Sequence, residues 1–270
     1  MLAEYLIKPF ASTWRNPELF RRVLIRDIET SIRGSVLGLA WILVIPLALV
    51  AIYTFVFGVV LDANWSIRPR SKLEVPLIYF SGLMIFTFFM EVITRSTTVI
   101  RDHVTYVTKI VFPVDILSSV VVGTALFKFA INLVLLAIFM LLVTWRVPTE
   151  VLWIPLLMAP LVAVSLGLSL IFAAFGAFVR DLSFALQAFA PVFMFICPVF
   201  YSIRQVPEQF RFIFEMNPLT LPLESGRDIL FFDGTFPWSA WTLQLIGALI
   251  FLQFGHLVFR RLRPGFADVV

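Results

Sequence analysis

The sequence has 270 residues, of which 60% are hydrophobic and 14% are charged, and its mean hydropathy is +0.97. Such a chain has too little polar surface to cover a water-soluble domain of its size, so the composition predicts a polytopic membrane protein. The formal charge of +4 follows from the positive-inside rule, and we therefore expect no nucleic-acid partner.

The first predicted element is an amphipathic helix over residues 16–32. Asn16 is suited to the N-cap, Pro17 to the first helical position, and Glu18 to the positive end of the helix dipole. Apolar residues recur every four positions from Phe20 to Ile32, opposite a charged stripe. This pattern predicts a helix lying in the cytoplasmic interface, although a simple basic flank remains the alternative.

Six transmembrane helices are predicted after it. Residues 36–61 contain no charged side chain, which gives about 39 Å of helix, enough to cross a bilayer core of about 30 Å. The full set of predicted spans is 36–61, 75–94, 118–143, 151–179, 182–201 and 238–259. In this arrangement 13 of the 21 Lys and Arg residues are inside and 7 are outside, so both termini are predicted to be cytoplasmic.

Two of the connections between the predicted spans are predicted to contain short helices. Residues 95–113 are too polar to span and too apolar for a free loop, which predicts a short interfacial helix ending before Pro113. Between the fifth and sixth spans, residues 210–232 hold two short apolar runs punctuated by charges. We expect two short re-entrant helices here, dipping into the outer leaflet, with Asn217-Pro218 as a start signal and Gly234 as a C-cap.

The sequence contains few of the residue patterns that enzymes and metal sites use. No HExxH, CxxC or close acid pair is present, and no lysine follows a glycine as a P-loop requires, so we expect a transport subunit whose nucleotide hydrolysis occurs on another chain. A membrane-embedded glycosyl- or acyltransferase is the competing class. Glu91 and Lys128 are the two charges within spans. They are predicted to pair with each other, and a substrate role is the alternative.

Aromatic side chains are abundant, with 30 Phe, 7 Trp and 5 Tyr. Most are expected to face lipid or the core. Some recur on helical faces, where their rings could stack on sugars without demanding one hydrogen-bond pattern. The hypothetical substrate pathway consists of Tyr53, Phe57, Phe88, Phe193 and Phe200.

Five motifs in series resemble one family almost end to end. The chain is similar to the permease subunit of type-2 ABC exporters for bacterial cell-surface polysaccharides. The motifs are RGSVLGLAW and YTFVFG within 33–58, SGLMIFTFF at 81–89, KIVFP at 109–113, VRDLS and PVFY within 179–201, and NPLTLPLESGRDILFFDGTFP at 217–237.

The resemblance implies a single type-2 ABC transmembrane domain over residues 1–270, multi-pass in the bacterial inner membrane. It implies a homodimer with two copies of a separate ATPase, which would bind ATP and Mg, and a lipid-linked polysaccharide as substrate. No cofactor is expected in this chain. Capsular polysaccharide permeases are the most similar subfamily, then O-antigen permeases, with teichoic acid permeases further off. Periplasmic and outer-membrane export proteins are further candidate partners.

The resemblance also assigns residues. The helix at 16–32 becomes an interface helix carrying Arg22, Arg26 and Arg33. A coupling helix over residues 101–112 would contact the ATPase, with the coupling set Arg101, His103, Tyr106, Lys109, Phe112 and Pro113. The outer re-entrant helices would form a gate with Glu215, Glu224, Arg227 and Asp228. The alternative for Glu224 and Arg227 is a local pair that only holds its helix together.

Overall fold

The computed structural model describes residues 13, 15–32, 40–53, 55–56, 74–104, 106, 112–145 and 149–266, and every regular element within these ranges is helical. In chain order the α-helices are α1 (Pro17–Ile32), α2 (Ala40–Tyr53), α3 (Val75–Ser96), α4 (Val99–Asp102), α5 (Ile116–Thr144), α6 (Ile154–Leu157), α7 (Ala159–Phe178), α8 (Leu182–Ile196), α9 (Glu208–Glu215), α10 (Thr220–Phe231) and α11 (Trp238–Leu262).

Four helical segments in the described ranges are long and apolar enough to cross a membrane. They are Val75–Ser96, Ile116–Val143, Thr149–Phe178 and Trp238–Gly265. The chain is therefore a helical, multi-pass membrane protein. Of the predicted first span, 36–61, the structure describes helix α2 over 14 residues, and the flanking residues lie outside the described ranges.

The predicted fifth span, 182–201, is helical only over Leu182–Ile196. Its 15 residues rise about 22 Å, less than the bilayer core. The helix ends because Pro198 follows Cys197, and a residue before proline is pushed into an extended conformation. Cys197 indeed has φ −91° and ψ 142°.

Helix α7 is the centre of the bundle. Its small residues Ser165, Ser169, Ala173 and Ala177 are all buried. On one side Ser96 of α3 donates a hydrogen bond of 2.7 Å to Ser169. On the other side α7 meets α11, where a Cβ at Gly255 would overlap the Gly167 carbonyl and lie 2.9 Å from the Gly167 Cα. The small side chains thus allow backbone approach on two faces of α7.

The amphipathic helix α1 packs on α5. Val23 of α1 is buried, and Leu24 lies against Gly123 of α5. The helix begins at Pro17 and ends at Ile32, and its polar side remains exposed. Contact through one apolar stripe is what its sequence periodicity predicts.

The segment between α8 and α11 contains two short helices, α9 and α10. Asn217 initiates α10 through an Asx turn, since the Leu219 amide donates to its side-chain oxygen at 3.0 Å. Whereas α9 has no buried residue, most of α10 is buried. Gln244 at the start of α11 donates to the Pro218 carbonyl at 2.7 Å, which ties the segment to the last long helix.

We expect Gly255→Leu to destabilise the protein by several kcal/mol, because a side chain at this position must separate α7 from α11. Thermal unfolding of the purified protein in detergent measures the loss. Gly247→Leu is the matched control on the same helix, since a Cβ there meets nothing within 4 Å. Equal melting temperatures for the two variants would contradict the close α7–α11 contact.

Candidate functional site

An ion pair joins the amphipathic helix to the bundle. The Asp27 carboxylate of α1 accepts hydrogen bonds from Arg95 Nη2 of α3 at 2.8 Å to each oxygen. Thr124 of α5 donates a third hydrogen bond to Asp27 Oδ2 at 2.6 Å. The Asp27 side chain is 14% exposed and that of Arg95 is 32% exposed. One carboxylate therefore fixes α1 to two long helices at once.

The pair continues into a chain of alternating charges. Glu91, one turn before Arg95 on α3, lies 3.6 Å from Arg95 Nη1. Lys128 of α5 donates to Glu91 Oε1 at 2.6 Å. We call Asp27, Arg95, Glu91 and Lys128 the charge chain. Because its signs alternate, each ion within the apolar helices has an opposite neighbour.

Sequence reasoning predicted the Glu91–Lys128 pair, and the structure brings these two side chains together. Asp27 and Arg95 were missed. The signal for Asp27 was available, because it lies four residues after Val23 and so shares the buried side of α1. A carboxylate on the apolar face of an amphipathic helix requires a partner on the surface that the helix covers.

Several of the predicted coupling residues lie beside the charge chain. Arg26 of α1 donates to the Tyr106 hydroxyl at 3.2 Å. The Tyr106 ring stacks on Phe112, with centroids 4.8 Å apart, and on His103 at 5.7 Å. A cleft of about 580 Å³ between α1 and this segment is lined by Arg26, Asp27, Arg95, Thr98, Asp102, His103 and Tyr106 among others.

Much of the predicted coupling helix, 101–112, lies outside the described residues, so its bounds stay a prediction. Helix α4 covers Val99–Asp102, and His103 leaves the helix with φ −121° and ψ 36°. Its ring nitrogen Nδ1 is 2.9 Å from the Val99 carbonyl oxygen. Arg101 contacts the Thr97 carbonyl at 3.5 Å, and Pro113 precedes α5. Lys109 lies outside the described residues.

The arginines assigned to the interface helix have different surroundings. Arg26 contacts Tyr106, whereas Arg22 is 83% exposed and lies 3.9 Å from the exposed Glu18. Arg33 lies outside the described ranges. Of the predicted three, Arg26 is the one that the described structure links to the coupling residues.

At the other end of α3, Arg227 of α10 is buried, with 2% exposure. It donates to the Pro198 carbonyl at 2.6 Å and to the Val199 carbonyl. Gly82 of α3 makes room for the guanidinium, because a Cβ there would overlap Arg227 Nη2. Arg227 therefore binds two carbonyl groups of the extended chain just after the end of α8.

Glu224 completes this clamp. Its carboxylate accepts from Ser202 Oγ at 3.0 Å and from the Ile203 amide at 3.2 Å, and it lies 3.7 Å from Arg227 Nη1. Burial raises the pKa of the Glu224 carboxyl, and the Arg227 guanidinium opposes that rise. The pair does more than hold its own helix, since both side chains bind the chain that follows α8.

Of the other two predicted gate residues, Glu215 is separate from this clamp, whereas Asp228 lies beside it. Glu215 is exposed on α9, and Asp228 is partly exposed on the side of α10. Burial raises the pKa of Asp228, and Arg204 and Arg227 oppose the rise. Glu215 is therefore the predicted gate residue that lies apart from the other three charges. Arg227, which is buried against α3, faces no open passage in the described structure.

The aromatic pathway is brought together only in part. Phe88 is 2% exposed and packs edge-on against Phe129 at 6.0 Å, so in this structure it lies in the α3–α5 core and not on an open surface. Phe193 is 41% exposed on α8. Phe200 packs on Tyr79 at 6.0 Å. The Phe57 position and the Tyr53 side chain lie outside the described part of the chain.

Apolar spans, an amphipathic helix tied to them by charge, and two short helices near one end define a helical, multi-pass membrane subunit. The ABC-2 type transporter family matches residues 18–231, and the chain belongs to that family.

Named relatives cover nearly the whole chain. The O-antigen export system permease protein RfbA of Klebsiella pneumoniae is 25% identical over 250 residues, which are 91% of this chain and 92% of the relative. RfbA of Myxococcus xanthus is 25% identical over 251 residues, with the same shares. The polysialic acid transport protein KpsM of Escherichia coli is 23% identical over 207 residues, 76% of this chain and 78% of the relative.

We expect Asp27→Ala and Arg95→Ala to be strongly non-additive, because either change leaves the other charge without its partner. A double-mutant cycle by thermal unfolding should give a coupling energy of about 0.5–3 kcal/mol. The same cycle on Glu18 and Arg22, an exposed pair at 3.9 Å on the same helix, should give almost none. Additive effects at Asp27 and Arg95 would show that the ion pair does not hold α1.

We expect Arg227→Met to cost about 3–5 kcal/mol, since it removes the ionic partner of Glu224 and the donors to two carbonyl groups in a buried site. Arg227→Lys should recover only part of this, because an ammonium lacks the guanidinium fork. Arg211 is the control. It also donates to carbonyl groups, those of Val206 and Arg204, but its side chain is 37% exposed. Water can replace its bonds in Arg211→Met, so equal losses in both variants would refute the buried clamp.

Proposed function

We propose that this chain is the transmembrane subunit of an ATP-driven exporter that moves a lipid-linked polysaccharide across the bacterial inner membrane. The observation that carries the proposal is the ABC-2 type transporter match over residues 18–231, together with relatives whose names are those of polysaccharide permeases. The chain would break no bond and would work as a homodimer with two copies of a separate ATPase, which binds ATP and Mg.

The glycan class we favour is O-antigen. The relatives named as O-antigen permeases align with 91% of this chain, whereas the polysialic acid transport protein aligns with 76%. Capsular polysaccharide, which the sequence motifs placed first, becomes the second candidate. Both are polymers of hydroxyl-rich sugar rings, so the same physical requirements apply to the passage.

The contacts around α1 support a coupling role for this end of the molecule. ATP binding on the partner must change the conformation of the transmembrane subunit, which requires a contact that differs between two states. Arg26 and Asp27 are neighbours on α1, yet Arg26 contacts Tyr106 and Asp27 contacts Arg95. A displacement of the Tyr106 segment would thus reach α3 and α5 through a single helix.

We expect the purified chain to form a complex with a separate ABC ATPase from the same bacterium. That complex should carry its lipid-linked glycan into inverted membrane vesicles only when ATP is hydrolysed. Tyr106→Ala, which removes the ring stack and the Arg26 contact, should lower transport at least several-fold while membrane insertion is unchanged. Trp145→Ala, at a side chain 86% exposed, is the control. A complex that hydrolyses ATP but moves no glycan would refute the proposal.

A further inference from the structure

A groove lies between α3 and α8, outside the core and the clamp. Its volume is about 520 Å³, within the range of small-molecule sites. The α3 wall includes Thr87, Glu91 and Thr94, and the α8 wall includes Gln187. These positions recur at helical spacing, so that each helix presents one continuous face to the groove.

Two of these polar side chains are unusual for membrane helices. Thr87 is exposed, although most residues around it on α3 are buried. Gln187 is exposed and is the one polar residue of α8 beyond Ser183. Neither side chain makes a hydrogen bond within the described part of the chain. A free amide facing lipid is costly, so this face of the groove requires water or a polar ligand.

The charge in the groove is already compensated. Glu91 lines it but is bound to Lys128 at 2.6 Å and lies 3.6 Å from Arg95. The groove is therefore suited to a neutral polar ligand rather than to a free cation. Its remaining lining is apolar, including Met90, Pro191 and Met194. Hydroxyl and amide groups beside an apolar floor match a sugar ring, which has polar edges and apolar C–H faces.

We propose that this groove is a saccharide subsite of the export pathway, in which Thr87 and Gln187 hydrogen-bond the hydroxyl groups of passing sugar residues. The inference rests on the proposed function for the nature of the ligand. It places the subsite on the polar face of α3 and α8, away from the buried Phe88. Glu91 links the subsite to the charge chain, so the same helix that binds Asp27 through Arg95 also forms one wall of the groove.

The first test does not depend on the proposed function. Single variants Thr87→Cys and Gln187→Cys are treated in membranes with a water-soluble, impermeant thiol reagent, and both should be labelled. The parent chain is the control, because its Cys197 is buried. Val192→Cys is the second control, because Val192 is 51% exposed and lies on the opposite face of α8 from Gln187. Equal labelling of Val192→Cys and Gln187→Cys would show that the whole helix contacts water and would overturn the groove as a distinct site. Failure to label Gln187→Cys would overturn the subsite in favour of contact with lipid. A disulfide between two copies of the Gln187→Cys variant, formed by all of the protein present, would overturn it in favour of contact with a second copy.

The second test measures transport of the native lipid-linked glycan into inverted vesicles by the complex with its ATPase. Gln187→Leu and Thr87→Val should each lower transport about fivefold, the effect of one lost hydrogen bond, with unchanged basal ATP hydrolysis. Gln187→Asn should restore part of the rate, and Val192→Leu should leave it unchanged. If Gln187→Leu and Thr87→Val both transport the glycan at the wild-type rate, the subsite is overturned while the proposed function stands. Absence of glycan transport by the wild-type complex would instead refute the proposed function.

Discussion

Hydrocarbon offers no hydrogen-bond partner, so each charged or strongly polar group in this chain must find its partner within the protein or in water. The Asp27–Arg95 ion pair is where this constraint has most effect. It fixes α1 against α3, and Thr124 brings α5 to the same carboxylate. Without it, α1 would be held mainly by one apolar stripe around Val23 and Leu24, a contact that allows sliding along α5.

The same constraint acts at the opposite end of α3. There α8 ends before Pro198, and the carbonyl groups of Pro198 and Val199, just beyond that end, are bound by Arg227. The Arg227 guanidinium occupies the space left by Gly82. Charged side chains therefore bind both ends of α3, which connects the amphipathic helix, the end of α8 and the short helix α10. The central helix α7 contributes differently, through small residues that allow close backbone contact with α3 and α11.

These two sets of contacts connect the two ends of α3, so that a movement at one end can reach the other. Helix α1 carries Arg26 toward Tyr106 and Asp27 toward Arg95, so it is connected both to the segment that we propose contacts an ATPase and to the helix that forms one wall of the groove. A polymer passing the groove would meet a surface whose position depends on α3. Contact of the ATPase near α1 and passage of the polymer along the groove would then be linked through rigid helices instead of a flexible loop.

Much of this architecture could be predicted from the sequence because it depends on local periodicity and composition. The bounds of α1, the long apolar helices and the two short helices before α11 follow from apolar spacing, proline positions and charge, which act within a few residues. The Glu91–Lys128 pair was also predictable, since two isolated charges in spans have few other partners. The end of α8 depends on Pro198, a signal that was present but was read as part of a longer span.

The partners of Asp27, Arg95 and Arg227, and the burial of Phe88, were decided only by the tertiary structure. Each depends on which helices become neighbours and at what rotation, and residues as far apart as Asp27 and Thr124 meet only after packing. Helical periodicity places a side chain on a face but does not say what covers that face. The aromatic residues illustrate this limit, because Phe88 and Phe193 have the same local pattern, yet one lies in the core and the other on the surface.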